Sequence, residues 1–209
     1  MREKMSNYTY EKGTRGTALE KYEWDNVWWE STNEIDAKRV LYIGDSISCG
    51  TRRIATEVAG GELLFDGFGT SKAVDNPYLN DAVSIFARQQ GKRCAVIFNN
   101  GLHGWHLDDE VKYPYYYEQT VKFLLEEFKD TPLALVLTTS VADGEREIRV
   151  KSRNIAVMQI AEKYGLPIID LYSASVENAH LRKDDGVHFS AEGYKKFAEL
   201  IVGELKKIK

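Results

Sequence analysis

The chain has 209 residues, 43% of them hydrophobic and 29% charged, which is enough for one folded domain with a buried core. This composition excludes a disordered, collagenous or low-complexity chain. The formal net charge is -4, and no basic run is long enough to neutralise phosphates along a nucleic acid. We therefore expect no nucleic-acid partner.

The first eleven residues are polar and contain no apolar segment followed by a small-residue cleavage site. Nowhere do about 18 apolar residues run together, as a membrane-spanning helix would need. The sequence therefore predicts a cytoplasmic protein without a membrane partner.

From residue 38 onward, short β-branched runs alternate with longer stretches of helical period. This alternation predicts a three-layer α/β/α fold, with a five-stranded parallel sheet covered by helices on both faces. The predicted strands are 39–43, 62–65, 93–98, 133–137 and 167–170. The predicted helices are 47–58, 79–90, 115–128, 147–164 and 190–207.

Residues 1–37 do not follow this alternation and contain three of the four tryptophans, Trp24, Trp28 and Trp29. We predict that they form an aromatic appendage packed on a domain of residues 38–209. The appendage is expected to be an apolar strap over a sheet edge, or alternatively a surface that faces substrate or a second subunit.

In an open parallel sheet, ligands bind beyond the carboxyl ends of the strands. The first predicted strand is followed by Gly44-Asp45-Ser46, which places a serine at the start of a helix, where unpaired N–H groups favour negative charge. This position suits a nucleophile, although Asp45 or Ser46 could instead simply cap the helix.

The next two loops contain candidate ligand-binding groups. Gly67 and Gly69 follow the second predicted strand and would allow close backbone approach to a ligand. Asn99 and Asn100 follow the third, where a side-chain amide can donate to a developing oxyanion. The structural alternative is an Asn-Gly turn at Asn100 and Gly101.

Asp185 and His188 lie three positions apart across a glycine, just before the last predicted helix. At this spacing a carboxylate can hold one imidazole nitrogen while the other faces a serine hydroxyl. Such a base is what a serine needs to become a good nucleophile. Together with Ser46, this pair predicts acyl transfer through a serine.

The two blocks Gly44-Asp45-Ser46 and Asp185-Gly186-Val187-His188 resemble those of the SGNH hydrolases, also called GDSL-type esterases and lipases. The resemblance extends from about Arg39 to the C-terminus. It implies a flavodoxin-like sheet, with Ser46 as nucleophile, His188 as base and Asp185 as the residue that orients His188. It also implies that no metal and no organic cofactor is needed.

The resemblance further implies an oxyanion hole formed by the N–H groups of Ser46 and Gly69 and the side-chain amide of Asn100. Gly67 and Asn99 are the alternatives, because the two middle blocks depart from the family pattern.

Two aspartates are predicted to lie outside the catalytic triad of Ser46, His188 and Asp185. Asp45 is expected to hold its turn by hydrogen bonds, and Asp184 is one residue off the family spacing.

The substrate is expected to be a small-molecule or carbohydrate ester with a short acyl group such as acetyl, because no strongly apolar lid is visible. A thioesterase or acyltransferase of the same fold and a non-catalytic ligand-binding module are the alternatives. The α/β-hydrolases are disfavoured because their G-x-S-x-G elbow is absent. The sequence does not predict an oligomeric state.

Two further pairs of residues have mainly structural interpretations. His103 and His106 could suggest a metal site, but their glycine-containing loop is not a convincing helix, so we predict no metal and place His103 in the pocket wall. Arg149 and Arg153 lie four apart on a predicted helix and are expected to form ion pairs on a solvated face.

Overall fold

The computed structural model describes residues 10–12, 18–20, 22–89, 92–109 and 111–208. The strands are β1 (Tyr10–Lys12), β2 (Ala18–Glu20), β3 (Asp25–Trp28), β4 (Arg39–Gly44), β5 (Leu64–Thr70), β6 (Ala95–Phe98), β7 (Leu133–Val136) and β8 (Ile168–Ile169). The helices are α1 (Ser46–Val58), α2 (Leu79–Ala87), α3 (His106–Asp109), α4 (Tyr113–Glu127), α5 (Gly144–Tyr164), α6 (Leu171–Glu177) and α7 (Ala191–Leu205), with a 3-10 turn at Ala179–Leu181.

The main sheet has the strand order β3-β5-β4-β6-β7-β8, and β1 and β2 form a separate antiparallel pair. Strands β5, β4, β6, β7 and β8 are parallel, so the predicted α/β fold with a flavodoxin-like parallel sheet is confirmed. The strand order reverses at β4, which lies between β5 and β6. Ligands of such sheets bind at this reversal, beyond the carboxyl ends of the strands.

The sheet has six strands rather than the predicted five. The sixth, β3, comes from the tryptophan-rich segment and pairs antiparallel with the free edge of β5. The pattern Asp-Asn-Val-Trp at 25–28 is mostly exposed and offers no apolar run, so propensity alone does not reveal this strand. The predicted domain boundary after residue 37 stays a prediction.

Strand β5 continues to Thr70 through residues that were predicted to form a ligand-binding loop. Its glycines face helix α1. A Cβ atom at Gly67 would lie 2.3 Å from Cδ of Arg52, and one at Gly69 would lie 2.3 Å from Sγ of Cys49. The glycines are therefore required for the close approach of α1 to the sheet, which is a different reason from the one predicted.

Helices cover both faces of the sheet because the buried side chains of the strands alternate. In β4, Val40 and Tyr42 pack with residues of α1 and α7, whereas Leu41 and Ile43 pack with residues of α2, α4 and α5. Both cores reach the carboxyl end of β4 and fix the turn that follows it. None of the described helices is long and apolar enough to cross a membrane.

Candidate active site

Ser46 is the first residue of α1, and one residue, Asp45, separates it from the end of β4. The turn is held by Asp45, whose buried carboxylate accepts a hydrogen bond from the N–H of Ile47 at 2.9 Å and so caps the helix. Ser46 is half-buried, and the strand and the cap fix the start of its helix. The hydrogen bond from Ile47 to Asp45 agrees with the sequence prediction that Asp45 holds this turn by hydrogen bonds.

Asp185 and His188 lie on a tight turn before α7. The turn needs the backbone conformation of Gly186, whose φ is 77°. The Asp185 carboxylate accepts hydrogen bonds from the N–H groups of Val187 at 2.9 Å and His188 at 2.8 Å. The turn is also joined to the loop after β7, because the N–H of Ala142 donates to the Gly186 carbonyl at 2.8 Å.

The structure brings Ser46, His188 and Asp185 into one chain of hydrogen bonds. Nδ1 of His188 lies 2.9 Å from Oδ2 of Asp185, and Nε2 lies 2.8 Å from Oγ of Ser46. Partial burial raises the pKa of Asp185, but the N–H groups of Val187 and His188 and the imidazole lower it more, to about 2. An ionised carboxylate can only accept hydrogen bonds, so the proton of a neutral imidazole lies on Nδ1. Nε2 can then accept a hydrogen bond from the Ser46 hydroxyl.

The side chains of Asn99 and Asn100 reach toward opposite edges of the sheet. The side chain of Asn99 donates to the carbonyl of Val136 at 2.9 Å, at the end of β7. The side chain of Asn100 donates to the carbonyl of Lys72 at 2.8 Å, beyond the end of β5. Since β4 lies between β5 and β6, Asn100 reaches across the end of β4, where Ser46 begins its helix.

Gly69 does not direct its N–H into the site. The N–H of Leu64 donates to Lys38 on the β4 side of β5, and that of Ser71 donates to Trp24 on the β3 side. Because N–H directions alternate along a strand, Gly69 and Gly67 share the direction of Ser71 and point toward β3. The added strand β3 thus takes up the donor that the resemblance assigns to the oxyanion hole.

A second carboxylate and imidazole pair lies beside this site. Nδ1 of His103 is 2.7 Å from Oε1 of Glu20, and the ring of Trp24 contacts the His103 ring edge-on at 6.0 Å. Burial raises the pKa of Asp45, and His103, the Ile47 N–H and then His188 oppose that rise. The electrostatic effect on Asp45 indicates that His103 lies near the turn that carries the serine.

The second histidine of the loop, His106, contacts Asp75 through Nε2 at 2.8 Å. Within the described ranges, no cluster of three His, Cys, Asp or Glu side chains has an arrangement that could hold a metal ion. We keep the sequence expectation of no metal as a prediction.

Arg153 corrects one interpretation of the sequence, since its side chain is 1% exposed and lies in the core rather than on a solvated face. The sequence contains a signal for the burial of Arg153. Val150, Val157 and Ile160 form the buried stripe of α5, and position 153 belongs to the same stripe by the i, i+3, i+4 rule.

Comparison of the structure with solved proteins identifies the fold as that of the GDSL-type, or SGNH, esterases and lipases. An acetyl xylan esterase matches with a TM-score of 0.62 and 17% identity, over 79% of this chain and 98% of that chain. A lipase/acylhydrolase from Enterococcus faecalis matches with a TM-score of 0.62 and 20% identity, over 81% and 96%. A member of the lipolytic G-D-S-L family from Veillonella parvula matches with a TM-score of 0.62 and 16% identity, over 82% and 100%. No protein-family model matches the sequence, and no curated protein sequence matches it significantly.

Proposed function

We propose that this protein is a serine ester hydrolase that acts through an acyl-enzyme. The observation that carries the proposal is the hydrogen-bonded chain from Ser46 through His188 to Asp185, at 2.8 and 2.9 Å. It lies at the carboxyl end of β4, where the order of the parallel strands reverses. A binding module has no need for an imidazole aligned in this way on a serine hydroxyl.

In the first half of the reaction, Oγ of Ser46 attacks the ester carbonyl carbon while its proton passes to Nε2 of His188. The negative charge of Asp185 stabilises the imidazolium that forms. The tetrahedral oxyanion then collapses, the bond to the alcohol oxygen breaks, and His188 returns the proton to the leaving alcohol.

In the second half, His188 takes a proton from water as the water oxygen attacks the acyl-enzyme carbonyl. Collapse of this intermediate releases the carboxylic acid and restores the Ser46 hydroxyl with the same proton. We assign the oxyanion contacts to the N–H of Ser46, at the positive end of α1, and to the amide of Asn100. The predicted oxyanion contact from the N–H of Gly69 would require β3 to move away from β5.

We propose a short acyl group, such as acetyl, on a polar alcohol that could be a carbohydrate. His103 acts electrostatically on Asp45, the neighbour of Ser46, and half-buried Trp24 contacts the His103 ring. These polar and aromatic groups suit a sugar better than a long acyl chain. Proteins of the same fold include acetyl xylan esterases, which is consistent with this choice. The predicted cytoplasmic location rests on the sequence alone.

The test is hydrolysis of p-nitrophenyl acetate, butyrate and octanoate by the wild-type protein, by Ser46→Ala and by Ser84→Ala. Ser84 is a buried serine of α2 and serves as the matched control. We expect Ser46→Ala to lose about 10³-fold or more in kcat, the control to stay near wild type, and acetate to be the best ester. Equal activity of Ser46→Ala and wild type would contradict the proposal, whereas a preference for octanoate would contradict only the short acyl group.

A further inference from the structure

Arg153 of α5 holds the loop that follows β6. Its guanidinium, which stays charged in proteins, donates to the carbonyl oxygens of Gly101 at 3.2 Å, His103 at 2.6 Å and Gly104 at 2.8 Å. Three carbonyls within four residues of one loop thus converge on one side chain. A loop that turns around a buried cation in this way has little freedom to move.

Asp108 and two aromatic rings complete the surroundings of Arg153. The carboxylate of Asp108 accepts two hydrogen bonds from the guanidinium, both at 2.9 Å. The guanidinium carbon lies 4.4 Å from the ring centre of Trp105 and 4.2 Å from that of Tyr113. The guanidinium of Arg153 uses its charge, its planar set of hydrogen-bond donors and its contact with aromatic rings. A lysine at this position would fully supply only the charge.

Tyr113 connects this cluster to Asn100. Its hydroxyl donates to the backbone carbonyl of Asn100. Burial raises the pKa of Tyr113, so the phenol stays protonated and remains a donor at any pH at which the protein would be used. Arg153 binds the carbonyl of Gly101, so the Tyr113 and Arg153 side chains hold two consecutive peptide groups, one on each side of the Gly101 Cα atom.

Fixing the peptide group between Asn100 and Gly101 restricts the backbone of Asn100 and thereby the directions that its side chain can take. It points across the end of β4 to the carbonyl of Lys72, at 2.8 Å. The loop also packs closely against Thr138 at Gly101, where a Cβ atom would lie 1.7 Å from Oγ1 of Thr138. The direction of the Asn100 amide is therefore restricted by contacts that do not involve Ser46.

We propose that Arg153 is a positioning residue that acts through Asn100 and aims its amide at the oxyanion. This inference rests on the proposed ester hydrolysis. Displacing a catalytic group by about 1 Å can cost about 10²-fold in rate, which is comparable to losing one oxyanion donor. A purely structural Arg153 would instead lower activity only in proportion to the protein that unfolds.

A double-mutant cycle separates these two roles. The variants are Arg153→Met, Asn100→Ala and the double variant, and kcat and KM are measured for the preferred p-nitrophenyl ester. We expect each single variant to lose about 10²-fold in kcat with KM within about threefold, and the double variant to lose no more than Asn100→Ala alone. Losses that multiply to about 10⁴-fold would overturn the inference, as would an unchanged kcat in either single variant.

Val157→Ala is the matched control for stability, since Val157 is a buried residue of α5 one turn beyond Arg153. It should lower the melting temperature and leave kcat near wild type when measured well below that temperature. If Arg153→Met keeps the same kcat as this control, Arg153 has no positioning role.

Tyr113→Phe tests the inference should Arg153→Met fail to fold, because it removes one hydroxyl and keeps the ring beneath the guanidinium. We expect a loss of about tenfold in kcat that disappears in the Asn100→Ala background. An unchanged kcat would overturn the inference. The proposed hydrolysis is judged separately, because its failure would appear as an inactive wild type or an active Ser46→Ala variant.

Discussion

Sγ of Cys49 occupies the space beside Gly69 so closely that a Cβ atom there would lie 2.3 Å from the sulfur. We expect Gly69→Ala to lower the free energy of unfolding by about 1–3 kcal/mol, since neither α1 nor β5 can move apart without losing packing. Adding Cys49→Ala should restore most of this loss. Urea unfolding of the two single variants and the double variant measures the effect, and simple addition of the two changes would contradict it.

A second prediction concerns which aspartate orients His188, the proposed base. Asp185→Asn should lose about 10²–10⁴-fold in kcat, because the amide favours the wrong imidazole tautomer and cannot stabilise the imidazolium. Asp184→Asn is the control, one residue away and exposed, and should stay within about threefold of wild type. Steady-state ester hydrolysis by both variants distinguishes them, and the reverse order would assign the role to Asp184.

The pH dependence of activity follows from the low pKa of Asp185. With a pKa of about 2, Asp185 is ionised at any pH above about 4, so only the imidazole takes up a proton as the solution becomes acidic. Protonated His188 cannot act as a base, and log kcat/KM should therefore fall toward acid pH with a slope of one. A slope of two toward acid pH would contradict this assignment.

The same pKa has a consequence for stability. Because it is lowered from 3.8 to about 2 on folding, the unfolded chain binds the proton more tightly. The stabilising contribution of Asp185 is complete above about pH 4 and is lost as the pH falls through the window down to 2. Unfolding followed by circular dichroism at several pH values should show stability falling between about pH 4 and pH 2.

Val111 and Gly165 occupy equivalent positions at two helix ends. Each is followed by a residue whose N–H donates five residues back, Lys112 to Leu107 and Leu166 to Ala161. Val111 has a φ of 54° and Gly165 a φ of 65°, the left-handed region that a β-branched residue adopts at a cost.

We expect Val111→Gly to raise the free energy of unfolding by up to about 1 kcal/mol and Gly165→Val to lower it by about 1–2 kcal/mol. Both positions have open surroundings, because Val111 is 85% exposed and no atom lies within 4 Å of a Cβ at Gly165. Thermal unfolding of the pair measures the backbone effect with little change in packing, and changes of the same sign would contradict it.

The parallel strands could be predicted from the sequence because each is a short apolar run bounded by polar turns. Strand β3 could not, since three of its four residues are exposed and its pairing with β5 is a long-range choice. The extra length of β5 could not be predicted for the same reason, because it depends on the pairing with β3. Residues such as Gly67 resemble a loop when the strand that pairs beside them is unknown.

The Ser46, Asp185 and His188 arrangement was accessible to sequence reasoning because each block is short and its spacing has a chemical purpose. The direction of the N–H of Gly69 was not, because it depends on β3. Arg153 was missed because its charge was weighted above its place in the apolar stripe of α5. A buried arginine is expected only when its partners are known, and most of them are backbone carbonyls that any sequence could supply.

The distance along the chain between Ser46 and His188, 142 positions, affects when activity can arise during synthesis. A growing chain that has just exposed Ser46 carries an ordinary alcohol, unreactive toward the esters around it. His188, the proposed base, becomes available only with the turn before α7, after the strands of the main sheet have been synthesised. On the proposed function, ester hydrolysis can arise only after this turn has docked, so its appearance would time the docking of α7.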